Sequence, residues 1–255
     1  MSQFTLKIIA VISMLIDHIG VVFFPEMTIF RLIGRLSFPI FCFLLVEGAL
    51  FTSDRKKYAF RLLLTGVISE PLFDLCFYGT LFYPEHQNVL FTLCFGLLMI
   101  TGMEQIRNRQ VKVLRKGKEL PSLFILLTLA FFCFLAEILK TDYQFQGILL
   151  IFVFYTCYNQ QQKKLEPGMI YLFYPLVVIL FLTRTRFDIF TRFGDIRGFF
   201  QFYVQDFSVF ALFLFENYKG KTINPKKPFV PYASRLFYLV YPFSLLVIYV
   251  VSVAF

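Results

Sequence analysis

The ionisable residues in the first hundred positions sit where such residues are expensive. Lys7, Asp17 and His18 fall inside one apolar run, Arg31, Arg35 and Glu47 inside a second, and Arg61, Glu70 and Asp74 inside a third. A charged side chain at the centre of a bilayer costs at least about 2.5–3.5 kcal/mol, so each needs a partner, a route to the interface or a function. His18 is best suited to chemistry, because an imidazole exchanges its proton near neutral pH and can serve as base or nucleophile. Lys7 precedes it by eleven positions, three helical turns and about 16 Å along the axis, so the two share a face. Taken alone, Lys7 is explained by snorkelling and topology.

A hairpin of the second and third runs brings Arg31 level with Asp74 and Arg35 level with Glu70. Arg31 and Arg35 are spaced i, i+4, as are Glu70 and Asp74, so two ion-pair rungs are expected. A fourth helix starting at the same end adds Asn88 and Thr92, and His18, Arg35, Glu70 and Asn88 converge there. Pinning of a hairpin without any activity explains the rungs equally well. Asp17 adjoins His18 in sequence, yet neighbours on a helix point about 100° apart, which leaves Glu70 and Asp74 as alternative orienting groups. Weaker signals are Glu137, Lys140, Asp142 and Tyr143 around a later turn, and Arg235, Tyr238, Tyr241 and Pro242 near the end.

The elements that must hold these residues are membrane helices. The 255 residues are 58% hydrophobic and 16% charged, with 37 Phe and a mean hydropathy of +0.70, whereas soluble domains run about 45–50% apolar and about 25% charged. Apolar stretches long enough to cross a bilayer recur along the chain. The expected fold is all-α: a polytopic integral membrane helix bundle of about nine transmembrane helices, at 4–24, 28–51, 57–79, 88–106, 121–140, 144–160, 169–183, 199–216 and 235–255. It forms a single transmembrane domain over 1–255 with its functional core within 4–106. The first run lacks a basic leader and a cleavage site and reads as a retained helix. Clusters of Lys and Arg at 51–58, 107–120, 159–168 and 217–235 mark cytoplasmic loops and place the N-terminus inside. The segment 184–198 breaks the alternation with four Arg, and reads either as an interfacial helix or as a shift in the count.

The net charge of +9 is topology signal and attraction to anionic lipid, and no nucleic-acid motif accompanies it. Cys42, Cys76, Cys94, Cys133 and Cys157 lie in apolar spans without a paired spacing and read as packing residues. Two histidines and no paired ligand spacing argue against a metal site.

The blocks Leu6–Lys7–Ile8–Ile9–Ala10, Met14–Leu15–Ile16–Asp17–His18–Ile19–Gly20, Ile33–Gly34–Arg35 and Phe38–Pro39–Ile40 through Glu47–Gly48 resemble the TraX family, named for a conjugative-pilus protein that N-acetylates pilin. Ser69–Glu70–Pro71–Leu72–Phe73–Asp74, Gln87–Asn88–Val89–Leu90–Phe91–Thr92, Thr141–Asp142–Tyr143 with Gly147, and the stretch from Tyr238 to Pro242 extend the resemblance over nearly the whole chain. The family looks related to transmembrane acyltransferases in which a basic or amide residue precedes a functional His by eleven positions, as Lys7 precedes His18. The resemblance implies acetyl or acyl transfer in a bacterial cytoplasmic membrane, with acetyl-CoA as donor and an amine or hydroxyl of a glycan, small molecule or pilin-like peptide as acceptor. His18, Asp17, Arg35, Glu70 and Asn88 are then the catalytic candidates; Lys7, Arg31, Arg35 and Arg61 face the donor; Asp74, Asp142 and Tyr143 face the acceptor. Ser244 stands where the family pattern has a His, so no role for that His carries over.

A mechanism follows as an expectation. Lys7 anchors the donor's phosphates, its extended arm runs along the first helix to His18, and Arg35 or Asn88 stabilises the oxyanion. Two other classes use similar residues. A transporter or flippase also employs buried ion pairs and a His, though no inverted repeat is visible. A non-catalytic assembly factor would tolerate loss of His18.

Overall fold

The structure is a computed structural model that describes residues 1–114, 123–159, 164–166, 170–171, 174, 204–218 and 229–254. The described part is helical, apart from one two-residue antiparallel pair, Tyr158–Asn159 with Lys164–Leu165. In chain order the helices are α1 (Gln3–Phe23), α2 (Thr28–Gly34), α3 (Ser37–Phe51), α4 (Arg55–Tyr78), α5 (Val89–Leu114), α6 (Leu123–Ile138), α7 (Gln144–Cys157), α8 (Ala211–Glu216) and α9 (Phe229–Ala254). A 3-10 segment, Val204–Phe210, leads into α8. The expected crossing at 199–216 is therefore not one continuous α-helix within the described residues. The expected crossing at 169–183 and the Arg-rich stretch 184–198 lie almost entirely outside the described residues.

Among the described residues, four helices are long and apolar enough to cross a membrane: Gln3–Phe23, the α2–α3 unit Thr28–Phe51, Val89–Asn108 and Phe237–Ala254. Helix α4 has 24 residues but carries Arg55, Lys56, Lys57, Arg61, Glu70 and Asp74, which removes it from that class on composition. Helices α6 and α7 are apolar and shorter.

Surface and interior are arranged as lipid demands. Phe60, Leu63, Leu64, Val67 and Ile68 of α4, Phe131 and Phe134 of α6, and Phe243, Val250 and Val253 of α9 are exposed, while Glu47, Ser69, Asp74, Asn88 and Thr92 are buried. Apolar faces of this extent are rare on soluble monomers. The core lies between α3 and α7, where Phe38, Phe43, Phe154 and Tyr174 interlock.

Short connections make the helices run alternately up and down, so the bundle has two ends. One holds the start of α1, the loop from Thr52 to Asp54 and the end of α7. The opposite end holds the end of α1, the α2–α3 junction, the end of α4 and the loops 79–88 and 139–143. Helix α9 lies along α4 and α1.

Candidate functional site

The span 28–51 is broken at Arg35–Leu36, and Pro39 supplies the reason. A proline has no N–H to give to the carbonyl four residues earlier, and its ring crowds that carbonyl, which here belongs to Arg35. The break turns the guanidinium of Arg35 back toward α1. There Asp17 takes both arginines, with Arg31 Nη1 at 3.0 Å and Arg35 Nη2 at 3.1 Å. The expected rungs Arg31 to Asp74 and Arg35 to Glu70 are not formed. With only residues 24–27 joining α1 to α2, the preceding helix offers the nearer carboxylate. Arg35 also donates to Gln205 Oε1 at 3.1 Å and, at 3.4 Å, to the Tyr143 hydroxyl.

Glu70 and Asn88 do pair, but with each other. Glu70 Oε2 accepts from the backbone N–H and the side-chain amide of Asn88, whose amide also donates to Gly66 O while its Oδ1 accepts from Leu90 N–H. Asn88 thus caps α5 and ties it to α4. With its polar atoms engaged in this way, it is badly placed to serve an oxyanion. Asp74 Oδ2 accepts from Tyr83 N–H at 2.7 Å and so fastens loop 79–88 to α4.

That loop is in turn laced to loop 139–143. Gln87 N–H donates to Lys140 O, Asp142 N–H donates to Gln87 O, Lys140 pairs with Glu85, and the Thr92 hydroxyl donates to Asp142 O. Lys140, Tyr143 and Gln144 have φ of 49°, 62° and 44°. Non-glycine residues held in the left-handed region cost about 1–3 kcal/mol each and recur where side chains must be aimed. Here the turn aims Tyr143 at Arg35, stacked face to face on Phe38 with ring centres 3.7 Å apart. It also sets Asp142 beside His86, at 3.7 Å. Burial pushes the Asp142 carboxyl above its ordinary value, opposed by His86 and Arg35.

His18 is buried, with Phe77 edge-on at 5.3 Å and Tyr241 edge-on at 5.9 Å between ring centres. The carboxylate beside it in sequence is engaged by the two arginines, so Asp17 does not orient the imidazole. Among the described residues, His18 Nδ1, Arg35 Nε, Glu70 Oε1, Asp74 Oδ1 and His86 Nδ1 are buried without a hydrogen-bond partner. All five belong to the same end of the bundle. Buried polar atoms are normally satisfied, so these five open positions make this end the polar focus of the bundle.

A cavity of about 690 Å³ opens between α1, α3, α4, α5 and α9, within the range of small-molecule sites. Gln3, Lys7, Thr52, Ser53 and Arg61 line it toward the end where α1 begins, Val11, Leu44, Leu45 and Leu62 line its length, and Met14, Leu90 and Tyr241 line it toward the opposite end. Lys7 Nζ lies 5.6 Å from the centre of the Phe237 ring. The cavity therefore leads from two cations along an apolar wall to within one turn of His18. Its two cations could hold an anionic group, and its apolar length could hold an extended chain.

The family model described as TraX protein matches residues 2–252. The chain belongs to the TraX family. It is 39% identical over 110 residues to a probable fimbrial assembly protein FimC, serogroup H1, of Dichelobacter nodosus, covering 39% of this chain and 45% of that relative. It is 38% identical over 96 residues to an uncharacterized protein of Rickettsia prowazekii (strain Madrid E), covering 37% of this chain and 34% of that one. The chain thus aligns with less than half the length of either relative. No solved structure matches.

Seen on this TraX fold, the expected donor-binding set divides. Lys7 and Arg61 line the cavity, whereas Arg31 and Arg35 hold Asp17 at the opposite end. His18, Asp17, Arg35, Glu70, Asp74, Asn88, Asp142 and Tyr143 all belong to that opposite end, as the helix directions require. The later helices are more than supporting bundle, because α9 supplies Tyr241 and loop 139–143 supplies Asp142 and Tyr143. Sequence reasoning assigned no role to His86, Gln205 or Phe77. His86 had a signal, standing two residues before Asn88; Gln205 had none, since 170 positions separate it from Arg35.

Proposed function

We propose that this protein is a membrane-embedded acyltransferase that moves an acetyl or similar acyl group from CoA to an amine or hydroxyl acceptor outside the cytoplasm. The observation that carries the reading is the cavity with Lys7 and Arg61 toward one end and, at the other, Tyr241, whose ring packs edge-on against His18. With the N-terminus cytoplasmic and about nine crossings of a bacterial inner membrane, the cations face the compartment where CoA is made. The polar end then faces the acceptor. A CoA thioester, when bound, supplies an activated acyl group.

Each residue has a task under this reading. Lys7 and Arg61 neutralise phosphate. His18 sits in an apolar ring cage, where a neutral imidazole can take the acceptor's proton or accept the acyl group. Arg35, fixed by Asp17, Tyr143 and Gln205, keeps one unpartnered N–H with which to stabilise developing negative charge. Asp142 and the unpartnered oxygens of Glu70 and Asp74 receive a cationic acceptor such as an ammonium group. The named role of the Dichelobacter nodosus relative in fimbrial assembly favours a pilin-like peptide as that acceptor.

The same relative's name supports a second reading, an assembly factor with no covalent chemistry. Radiolabelled acetyl-CoA added to membranes containing the protein separates the two. Label enters an acceptor with the intact protein and is lost with His18→Ala if the transferase reading holds. Full labelling by His18→Ala, or none by the intact protein, overturns it.

A further inference from the structure

Tyr241 stands between the cavity and His18. It lines the cavity, it is 5% exposed, and its ring lies edge-on to the imidazole. His18 itself does not line the cavity. Met14, one turn before it on the same helix, does. Phe77 also lies edge-on to the imidazole and packs on Phe73 with ring centres 4.9 Å apart. A group that reaches His18 from the part of the cavity lined by Tyr241 meets this phenol ring and shares the space with Phe77.

We infer that Tyr241 is a specificity-determining residue that limits the acyl group to a short one. The inference rests on the acyl-transfer reading. A ring that is 5% exposed and packed on His18 leaves little room beside the imidazole, so a short acyl group is accommodated more readily than a long one. Each methylene that a pocket accepts or refuses is worth about 10–200-fold in transfer rate. The acyl chain grows toward Tyr241 and Phe77, and a smaller side chain at 241 lengthens the space.

Membranes containing the full chain are given acetyl-CoA or hexanoyl-CoA, each labelled in the acyl group, and the ratio of the two transfer rates is compared among the unsubstituted protein, Tyr241→Ala, Tyr241→Leu and Tyr241→Phe. The unsubstituted protein and Tyr241→Phe prefer acetyl by about 100-fold or more, and Tyr241→Ala and Tyr241→Leu reduce that preference by about tenfold or more. A readout independent of acyl transfer accompanies it: modification of His18 by diethyl pyrocarbonate, located by mass spectrometry, accelerates in Tyr241→Ala and Tyr241→Leu and is unchanged in Tyr241→Phe. Tyr241→Leu keeps the comparison usable if Tyr241→Ala does not fold. Equal use of the two donors by the unsubstituted protein, or an unchanged ratio in both smaller variants, overturns the inference while leaving the transferase reading intact. Failure of both donors to label anything overturns both.

Discussion

Asp17 occupies the space that a side chain at Gly34 would need: a Cβ there would stand 2.1 Å from Asp17 Oδ1 and 2.3 Å from Asp17 Cβ. The close approach of α2 to α1 is what lets one carboxylate reach both Arg31 and Arg35. Gly34→Ala is therefore expected to push α2 off α1, with a cost of about 1–3 kcal/mol typical of an overfilled contact. Thermal unfolding in detergent measures it, and an unchanged midpoint would contradict the contact.

Asp17→Ala leaves Arg35, with 13% of its side chain exposed, beside no other described carboxylate in ion-pair contact. Removing one partner of a buried pair costs about 3–5 kcal/mol, because the remaining charge stays desolvated. Adding Arg35→Ala should restore part of that loss. The double-variant cycle reads the coupling directly, and additive effects would show that the pair is not coupled. Arg31, at 38% exposure, contributes little by itself.

Lys7→Gln and Arg61→Gln are expected to weaken acetyl-CoA binding, each by about 1.5–3 kcal/mol if the side chain meets phosphate. The rate at saturating donor changes far less. Arg31→Gln should leave donor affinity alone, since Arg31 lies at the opposite end of the bundle. Calorimetric titration in detergent makes the comparison, and equal losses for Arg31 and Lys7 would remove the cavity from the donor's path.

Asp54 caps α4 by accepting from Lys57 N–H at 2.9 Å. That bond, with the charge of Lys57, holds its carboxyl below the ordinary 3.8. Because the folded state favours the ionised form, the contribution is fully present above pH 3.8 and disappears as pH falls through the lower folded value. Asp54→Asn retains a cap acceptor but lacks the ionised carboxylate, so it should flatten this acid-side slope and lose the charge-dependent part of the contribution at neutral pH. Unfolding midpoints between pH 3 and 7 test it, and an unaltered slope would count against the cap's ionised form.

Much of this arrangement is legible in the sequence. The apolar runs at 4–24, 57–79, 121–140 and 144–160 give α1, α4, α6 and α7 to within about three residues, because a segment in lipid must satisfy its own backbone hydrogen bonds. The depth of each polar residue follows from counting along a helix, which is why His18, Arg35, Glu70 and Asn88 do share one end. Azimuth is harder. Arg31 and Arg35 were matched to Asp74 and Glu70 by level alone, while Pro39 breaks the helix below them and Gly34 draws them to Asp17. The link from Arg35 to Gln205 and the left-handed turn at Lys140, Tyr143 and Gln144 are set by tertiary contacts that no local pattern announces.

Glu47, fully buried on α3, accepts hydrogen bonds from Gln3, Tyr158 and Tyr218. Tyr218 follows it by 171 residues. Helix α3 is therefore made long before the last hydroxyl donor of this carboxyl group, and the buried site around Glu47 closes only once the C-terminal portion of the chain has joined it.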